Sequence, residues 1–269
     1  MTAPLLSICI PTYQRRERIV TLVRELLNAD SCVQICVHVD GSTDGSWESL
    51  ASLDDPRLRI SQAVNQGRAG ALLAACRLAE GRFTMIFDDD DTLYPEGLAQ
   101  VIEDCRGEVP PDVTGFIYHL EDQNGERIGD AFPCERSNFL ALRADQKVRR
   151  DKKEVVRTDH LLACAHDPRG RARRVPTSLL WSRLALRYDV ICRNYVIGRK
   201  VYLDEGMTAN IRQLKRRNAR PMLLLHLARM QGFIFGRYRR LRYFVESALG
   251  VLGYSVVFLR AAAIKEGRD

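Results

Sequence analysis

The chain has 269 residues, of which 46% are hydrophobic, and a formal net charge of +7. That length suits one large α/β domain or one domain with an appendage, and that hydrophobic content supports a packed core and argues against a disordered chain. The positive balance favours an acidic partner: a nucleotide, a nucleic acid or an anionic membrane surface. None of the eight cysteines forms a CxxC pair and several lie in apolar runs. With no visible N-terminal signal peptide, the expectation is a cytoplasmic protein with reduced thiols.

In chain order, residues 5–10 read as a strand that Pro11 ends. Residues 15–30 read as a helix, because Ile19, Leu22, Val23, Leu26 and Leu27 make one apolar stripe at i, i+3, i+4, i+7 and i+8. A second strand, 33–40, ends at Asp40 and runs into the small polar turn "GSTDGS". A short helix at 46–53, a strand at 58–63, the loop "NQGRAG" and a helix at 71–81 follow. The fourth strand, 83–87, delivers four consecutive carboxylates, and Pro95 begins another helix, where its missing N–H costs nothing. This alternation predicts a mainly parallel sheet with helices on both faces. Ligands of such sheets bind outside the carboxyl ends of the strands. Residues 11–13, 40–44 and 88–91 all fall at that edge.

The rest of the chain is less regular. Residues 113–120 read as a strand, 134–176 as a polar and basic stretch, and 176–190 as a helix. His160, Cys164 and His166 offer three candidate metal ligands with no fourth nearby, and read as structural. From Pro221 the chain is apolar and basic together. There "FIFGRYRRLRYF" suits a helix lying on an anionic membrane, or one packed on the domain with its arginines wet. The longest uncharged run, 247–259, falls short of the ~20 residues that span a bilayer. Three parts are expected: 1–105, 106–220 and a basic, helical C-terminal extension, 221–269.

The carboxylates raise a question of compensation, because crowded acids repel. If the strand continued through them, Asp88 and Asp90 would share one face and Asp89 the other. Two carboxylates on one face can hold Mg²⁺ or Mn²⁺ and leave positions for phosphate oxygens. Asp40 could accept an N–H from a base, and Tyr13 could offer its ring or hydroxyl. Gly67 and Gly70 open a helix whose N–H groups could approach phosphate. With neither GxGxxG nor GxxxxGK[ST] present, a nicotinamide dehydrogenase or P-loop NTPase is disfavoured.

"SICIPTYQRRERI", "VHVDGSTDGS", "NQGRAGALLAA" and "FDDDDTLYPEGL" resemble, in order and spacing, the nucleotide-sugar domain of family 2 glycosyltransferases. The resemblance covers about residues 5–105 and implies a GT-A fold, a Rossmann-like sheet flanked by helices. It also implies sugar transfer with inversion from a nucleotide-sugar, most simply a UDP-sugar, to a saccharide or lipid-linked acceptor. By the same resemblance Pro11, Tyr13 and Asp40 occupy uracil-binding positions, with Gly67 and Asp88 on the nucleotide. Asp88-x-Asp90 matches the DxD metal motif, with Asp90 the more direct ligand of Mg²⁺ or Mn²⁺. Two departures stand out: Val39 replaces the first of two acids, and Gln14 replaces an Asn. Where family members carry an acidic pair before a Trp/Arg-containing helix, this chain has Pro176, Thr177 and Ser178, none of them a carboxylate. Asp151 and Glu154 are therefore the candidate bases, with Asp189 and Asp204 next. A site on the inner face of the plasma membrane would suit a lipid-linked acceptor.

Two other readings compete. "IFDDDDTLY" also fits the D-x-D-x-T pattern of haloacid-dehalogenase-like phosphohydrolases, with Asp88 as nucleophile and Asp90 as acid/base, although that motif usually closes a first strand. A non-catalytic nucleic-acid-binding protein would use the arginine clusters of the second half, against the repulsion of the acidic edge.

Overall fold

The computed structural model describes residues 3–30, 32–166, 175–201 and 218–266. Strands β1 (Leu6–Thr12), β2 (Val33–Asp40), β3 (Leu58–Ala63) and β4 (Phe83–Ile86) run parallel in the order β3-β2-β1-β4. β1, β2 and β4 are buried at every position, which is why they read as apolar runs rather than as alternating ones. Register puts Thr12 opposite Val39, Asp40 opposite Ala63, and Cys9 opposite both Cys36 and Ile86. The loops after all four strands therefore emerge at one edge.

Helices α1 (Arg16–Ala29) and α4 (Pro95–Arg106) cover one face, where Ile19, Val23, Leu98 and Val101 join the main core. Helix α3 (Arg68–Arg77) covers the other face with α6 (Thr158–Cys164) and α7 (Thr177–Ala185). There Cys9, Cys36, Cys76 and Cys164 pack as small apolar groups, and all eight cysteines are free thiols. Helix α2 (Ser46–Ala51) is short and stands beside α1.

Beyond β4 the sheet continues with mixed direction. β8 (Lys153–Arg157) lies antiparallel between β4 and β6 (Val113–Glu121), and β9 (Asp189–Arg199) runs parallel to β6. The short strands β5 (Thr92–Leu93) and β7 (Arg136–Ser137) both pair antiparallel with β9. Of these strands only β6 was expected, and β8 and β9 are the longer ones that were not. β8 falls in a charge-rich stretch, yet Val155 and Val156 are fully buried. β9 begins where a helix was expected to continue; α7 stops at Ala185 instead.

Helix α5 (Phe139–Ala144) is capped by Asn138, whose side chain accepts from the N–H groups of Leu140 and Ala141. It supports a C-terminal hairpin of α8 (Ala219–Ile234) and α9 (Leu241–Glu266). Arg237, at the turn, donates to the carbonyls of Ala185 and Tyr188 and to Asp189, and Asn138 donates to its carbonyl. Asp145 accepts the N–H groups of Arg239 and Arg240.

Candidate active site

Three loops close around the carboxyl edge of the parallel strands. After β1, Gln14 takes a left-handed backbone (φ 53°), held by Ser42 on its N–H and by Thr43 on its side chain. After β2, Gly41 also has positive φ (72°), and a Cβ there would lie 2.6 Å from the Asn65 nitrogen. Only glycine satisfies both demands. Asp44 then accepts from the N–H groups of Arg16 and Ser46 and from the Ser46 hydroxyl, which ties the second loop to the start of α1.

Asp40 is almost wholly buried, and its two oxygens accept the N–H groups of Gln66 (2.7 Å) and Gly67 (2.9 Å). This differs from the expected roles of both residues. The Asp40 carboxylate holds the third loop instead of facing a base, and the Gly67 N–H is already spent on it. Gly70 is buried within α3. Pro11 is buried in β1, and Tyr13, half exposed, presents a ring at the edge. Val39, where the family resemblance led us to look for an acid, is fully buried.

The four carboxylates do not continue the strand. β4 ends at Ile86, and the Asp91 N–H bonds the Asp88 carbonyl across a tight turn. The period-two argument that put Asp89 on the opposite side therefore does not apply. Asp89 accepts from Thr12 Oγ1 at 2.7 Å, and Arg15 bridges Asp89 and Asp90, the latter at 3.0 Å. Arg68, at the start of α3, pairs with Asp88. Lys153 on β8 reaches Asp91 at 3.0 Å and lies over the Phe87 ring. Lys200, just past β9, stands 3.7 Å from Asp88, 3.6 Å from Asp91 and 3.9 Å from Asp151.

Four cations from four elements thus answer four carboxylates. Sequence reasoning found the acids and missed Arg15, Arg68, Lys153 and Lys200. The signal for Arg15 and Arg68 was their place at the predicted edge; Lys153 lies on a strand that was not predicted, and Lys200 directly follows another. The balance is uneven. Burial would raise Asp88, but Arg68, Lys153 and Lys200 reverse this and hold it well below the usual carboxylate range. For Asp89 and Asp91 burial prevails and the pKa rises, despite Thr12 and Arg15 on the first and Lys153 and Lys200 on the second.

The donor set at Asp88 and Asp90 fits a hard divalent cation. Both offer carboxylate oxygens, and Asp88 is held in the ionised form that ligates. Among the described residues no three His, Cys, Asp or Glu side chains group as a metal cage. The protein would thus supply few ligands and leave room for phosphate oxygens. His160 stacks on Tyr188 with ring centroids 3.7 Å apart, and Cys164 is core, so these two serve packing.

The candidate bases separate. Asp151 has a side chain 54% exposed and shares Lys200 with Asp88. Glu154 lies within β8 opposite Ile117, and burial, opposed by Lys153, pushes it up to about 8. Asp189 is held by Arg136 (2.9 Å) and Arg237 (2.6 Å) at the start of β9. Asp204 lies outside the described residues.

A parallel half-sheet extended by mixed strands, with its loops and an acidic turn gathered at one edge, defines the GT-A class of α/β proteins. The family described as glycosyl transferase family 2 matches residues 7–164, more than half of the chain, and the chain belongs to that family. It is 32% identical over 130 residues to a chondroitin synthase of Escherichia coli, a match covering 47% of this chain and 18% of that one. It is 33% identical over 102 residues to the abequosyltransferase RfbV of Salmonella typhimurium, covering 35% and 31%. The chain thus spans less than a third of either relative. Among solved structures, S. aureus TarS 1–349 in complex with UDP-GlcNAc aligns with a TM-score of 0.57 at 16% identity, covering 90% of this chain and 79% of that one. The mannosyltransferase PcManGT of Pyrobaculum calidifontis, in complex with GDP-Man and Mn²⁺, aligns with a TM-score of 0.56 at 16% identity, covering 98% and 76%. At that identity the likeness is one of fold.

Proposed function

We infer that this chain is an inverting glycosyltransferase. It would move a sugar from a nucleotide-sugar donor to a hydroxyl of a saccharide or lipid-linked acceptor, in cell-surface polysaccharide or glycolipid synthesis. The observation that carries the reading is the meeting of Asp88 and Asp151 at one ammonium, that of Lys200. On this reading the diphosphate would lie beside an exposed carboxylate, the two ends that such a reaction needs. A UDP-sugar is the favoured donor. A relative 32% identical over 89 residues is named for UDP-Glc and a diphosphoundecaprenol acceptor, and TarS is described with UDP and with UDP-GlcNAc. Neither the phosphohydrolase nor the nucleic-acid reading gains support from these relatives.

In this reading Tyr13 packs against the base, and Arg68 and Lys200 stand where charge grows on the departing diphosphate, which they stabilise. Mg²⁺ or Mn²⁺ bound at Asp88 and Asp90 would add Lewis-acid stabilisation of that same charge. Asp151 takes the proton of the acceptor hydroxyl as it attacks the anomeric carbon from the face opposite the leaving group. Glu154 lies within β8 instead of on the open side of Lys200, and burial raises its pKa to about 8, so less of it is ionised at neutral pH.

The test is a donor panel of UDP-, GDP- and dTDP-sugars offered with saccharide acceptors and divalent metal. Product is followed by mass spectrometry and anomeric configuration by NMR. Transfer from a UDP-sugar with inversion supports the reading; a retained configuration, or phosphate release without glycoside, overturns it.

A further inference from the structure

One face of α9 has no partner among the described residues. Its inner side packs on α8: Phe244 meets Phe233 at 4.8 Å between ring centroids, Tyr254 stacks on His226 at 5.6 Å, and Gly250 admits the His226 ring where a Cβ would clash. On the opposite side Leu241, Val245, Leu249, Leu252 and Val256 are 47–65% exposed. At about 100° per residue these five fall within an arc of roughly 80°, a continuous apolar stripe. Ile234 and Phe235, 67% and 62% exposed, extend the apolar surface at the α8–α9 turn.

Charge on this surface is arranged by position. The turn and first helical turn carry Arg237, Arg239, Arg240 and Arg242, and no charged residue occurs from Ser247 to Phe258. Arg239 and Arg242 are exposed, and Arg242 flanks the stripe, held only by an exposed pair with Glu246 (2.9 Å).

We propose that the α8–α9 hairpin docks this chain on an anionic membrane surface, with the α9 stripe and the Ile234–Phe235 turn in the acyl boundary and Arg239 and Arg242 on acidic headgroups. Aliphatic residues on one side and arginines at the rim are the composition of a helix that lies in the interface. The window Leu241–Phe258 is apolar enough to cross a membrane by length and composition, with only 6% of it buried. Its inner face stays engaged with α8 through His226 and Phe233, so it lies on the bilayer instead of crossing it. A second copy of the chain is the other candidate occupant, but basic residues outnumber the one acid, Glu246, at the rim of the stripe, which suits an acidic surface better.

The test uses the full chain and sedimentation with vesicles of phosphatidylcholine alone or with 30% phosphatidylglycerol, roughly the anionic fraction at which basic surfaces bind. The expected result is binding to the acidic vesicles only, weakened by high salt. L249D/L252D should weaken it by at least about tenfold, and R239Q/R242Q by roughly thirtyfold. These side chains are exposed, so unchanged circular dichroism and melting separate lost docking from lost folding. The proposal is overturned if the intact protein ignores acidic vesicles, or if L249D/L252D binds them as well as the parent. Resistance to alkaline extraction would make α9 a spanning helix, and a dimer in light scattering that L249D/L252D dissolves would assign the stripe to a second copy.

Discussion

Asp151 lies on the open side of Lys200, while Glu154, three residues later, lies inside the sheet. The two carboxyls meet different surroundings, and burial raises the pKa of Glu154. We expect Asp151→Asn to lose about 10²- to 10⁴-fold in kcat with nucleotide affinity unchanged, the usual cost of losing a placed general base. Glu154→Gln should keep turnover within severalfold. Pre-steady-state transfer and UDP titration on both variants check this, and the reverse pattern would move the base into β8. Asp89 now has a role that strand alternation would not have given it. It receives Thr12 and Arg15, and Arg15 in turn holds Asp90. Asp89→Asn should therefore lower both stability, by about 1–3 kcal/mol, and metal-supported UDP affinity, measured by melting and by calorimetry. The acids were legible because four in succession need compensation. The cations were not, because an arginine in "QRRER" or a lysine in "RRDKKEVVR" looks solvated until the fold brings it to an acid 62 to 75 positions away. Asp40 was legible as an edge residue but not as the acceptor of two backbone N–H groups, since the loop it holds lies 25 residues further on.

At the scale of elements, β8 joins the donor half of the sheet to the rest and carries charge inward. Its Lys153 is 5% exposed and meets Asp91 beneath the turn. Removing one partner of a buried pair typically costs 3–5 kcal/mol, and Lys200 close by should keep this one near the lower figure. Lys153→Met should thus lower the unfolding free energy by about 3 kcal/mol, read from urea midpoints. Glu154, on the same strand, makes stability depend on pH. Its folded pKa of about 8 lies above the ordinary 4.5, so the folded state keeps the proton that the unfolded chain gives up. Its stabilising share is whole below pH 4.5 and declines as pH rises toward 8. Glu154→Gln should flatten that decline and raise Tm at pH 8, and an unchanged pH profile in the variant would contradict the assignment. β1, β2 and β4 could be read from sequence because parallel strands buried on both faces are apolar throughout. β8 and β9 could not, because tertiary pairing overrides the charged residues they contain.

For the whole molecule, one sheet carries both the loop edge after β1 to β4 and the strands beyond it, and the parts expected at 1–105 and 106–220 are joined through the β4–β8 pairing. The path from sequence to function then rests on one claim: that the edge formed by Thr12, Tyr13, Asp40 and residues 88–91 holds a nucleoside diphosphate together with a divalent cation. The direct measurement is calorimetric titration of UDP into the intact protein with and without Mn²⁺, repeated on Asp90→Asn. The account predicts saturable one-site binding that Mn²⁺ strengthens by at least tenfold, about 1.4 kcal/mol, and that Asp90→Asn returns to the metal-free level. Absence of binding by UDP, GDP and dTDP alike, or binding with Mn²⁺ that Asp90→Asn leaves untouched, would contradict it.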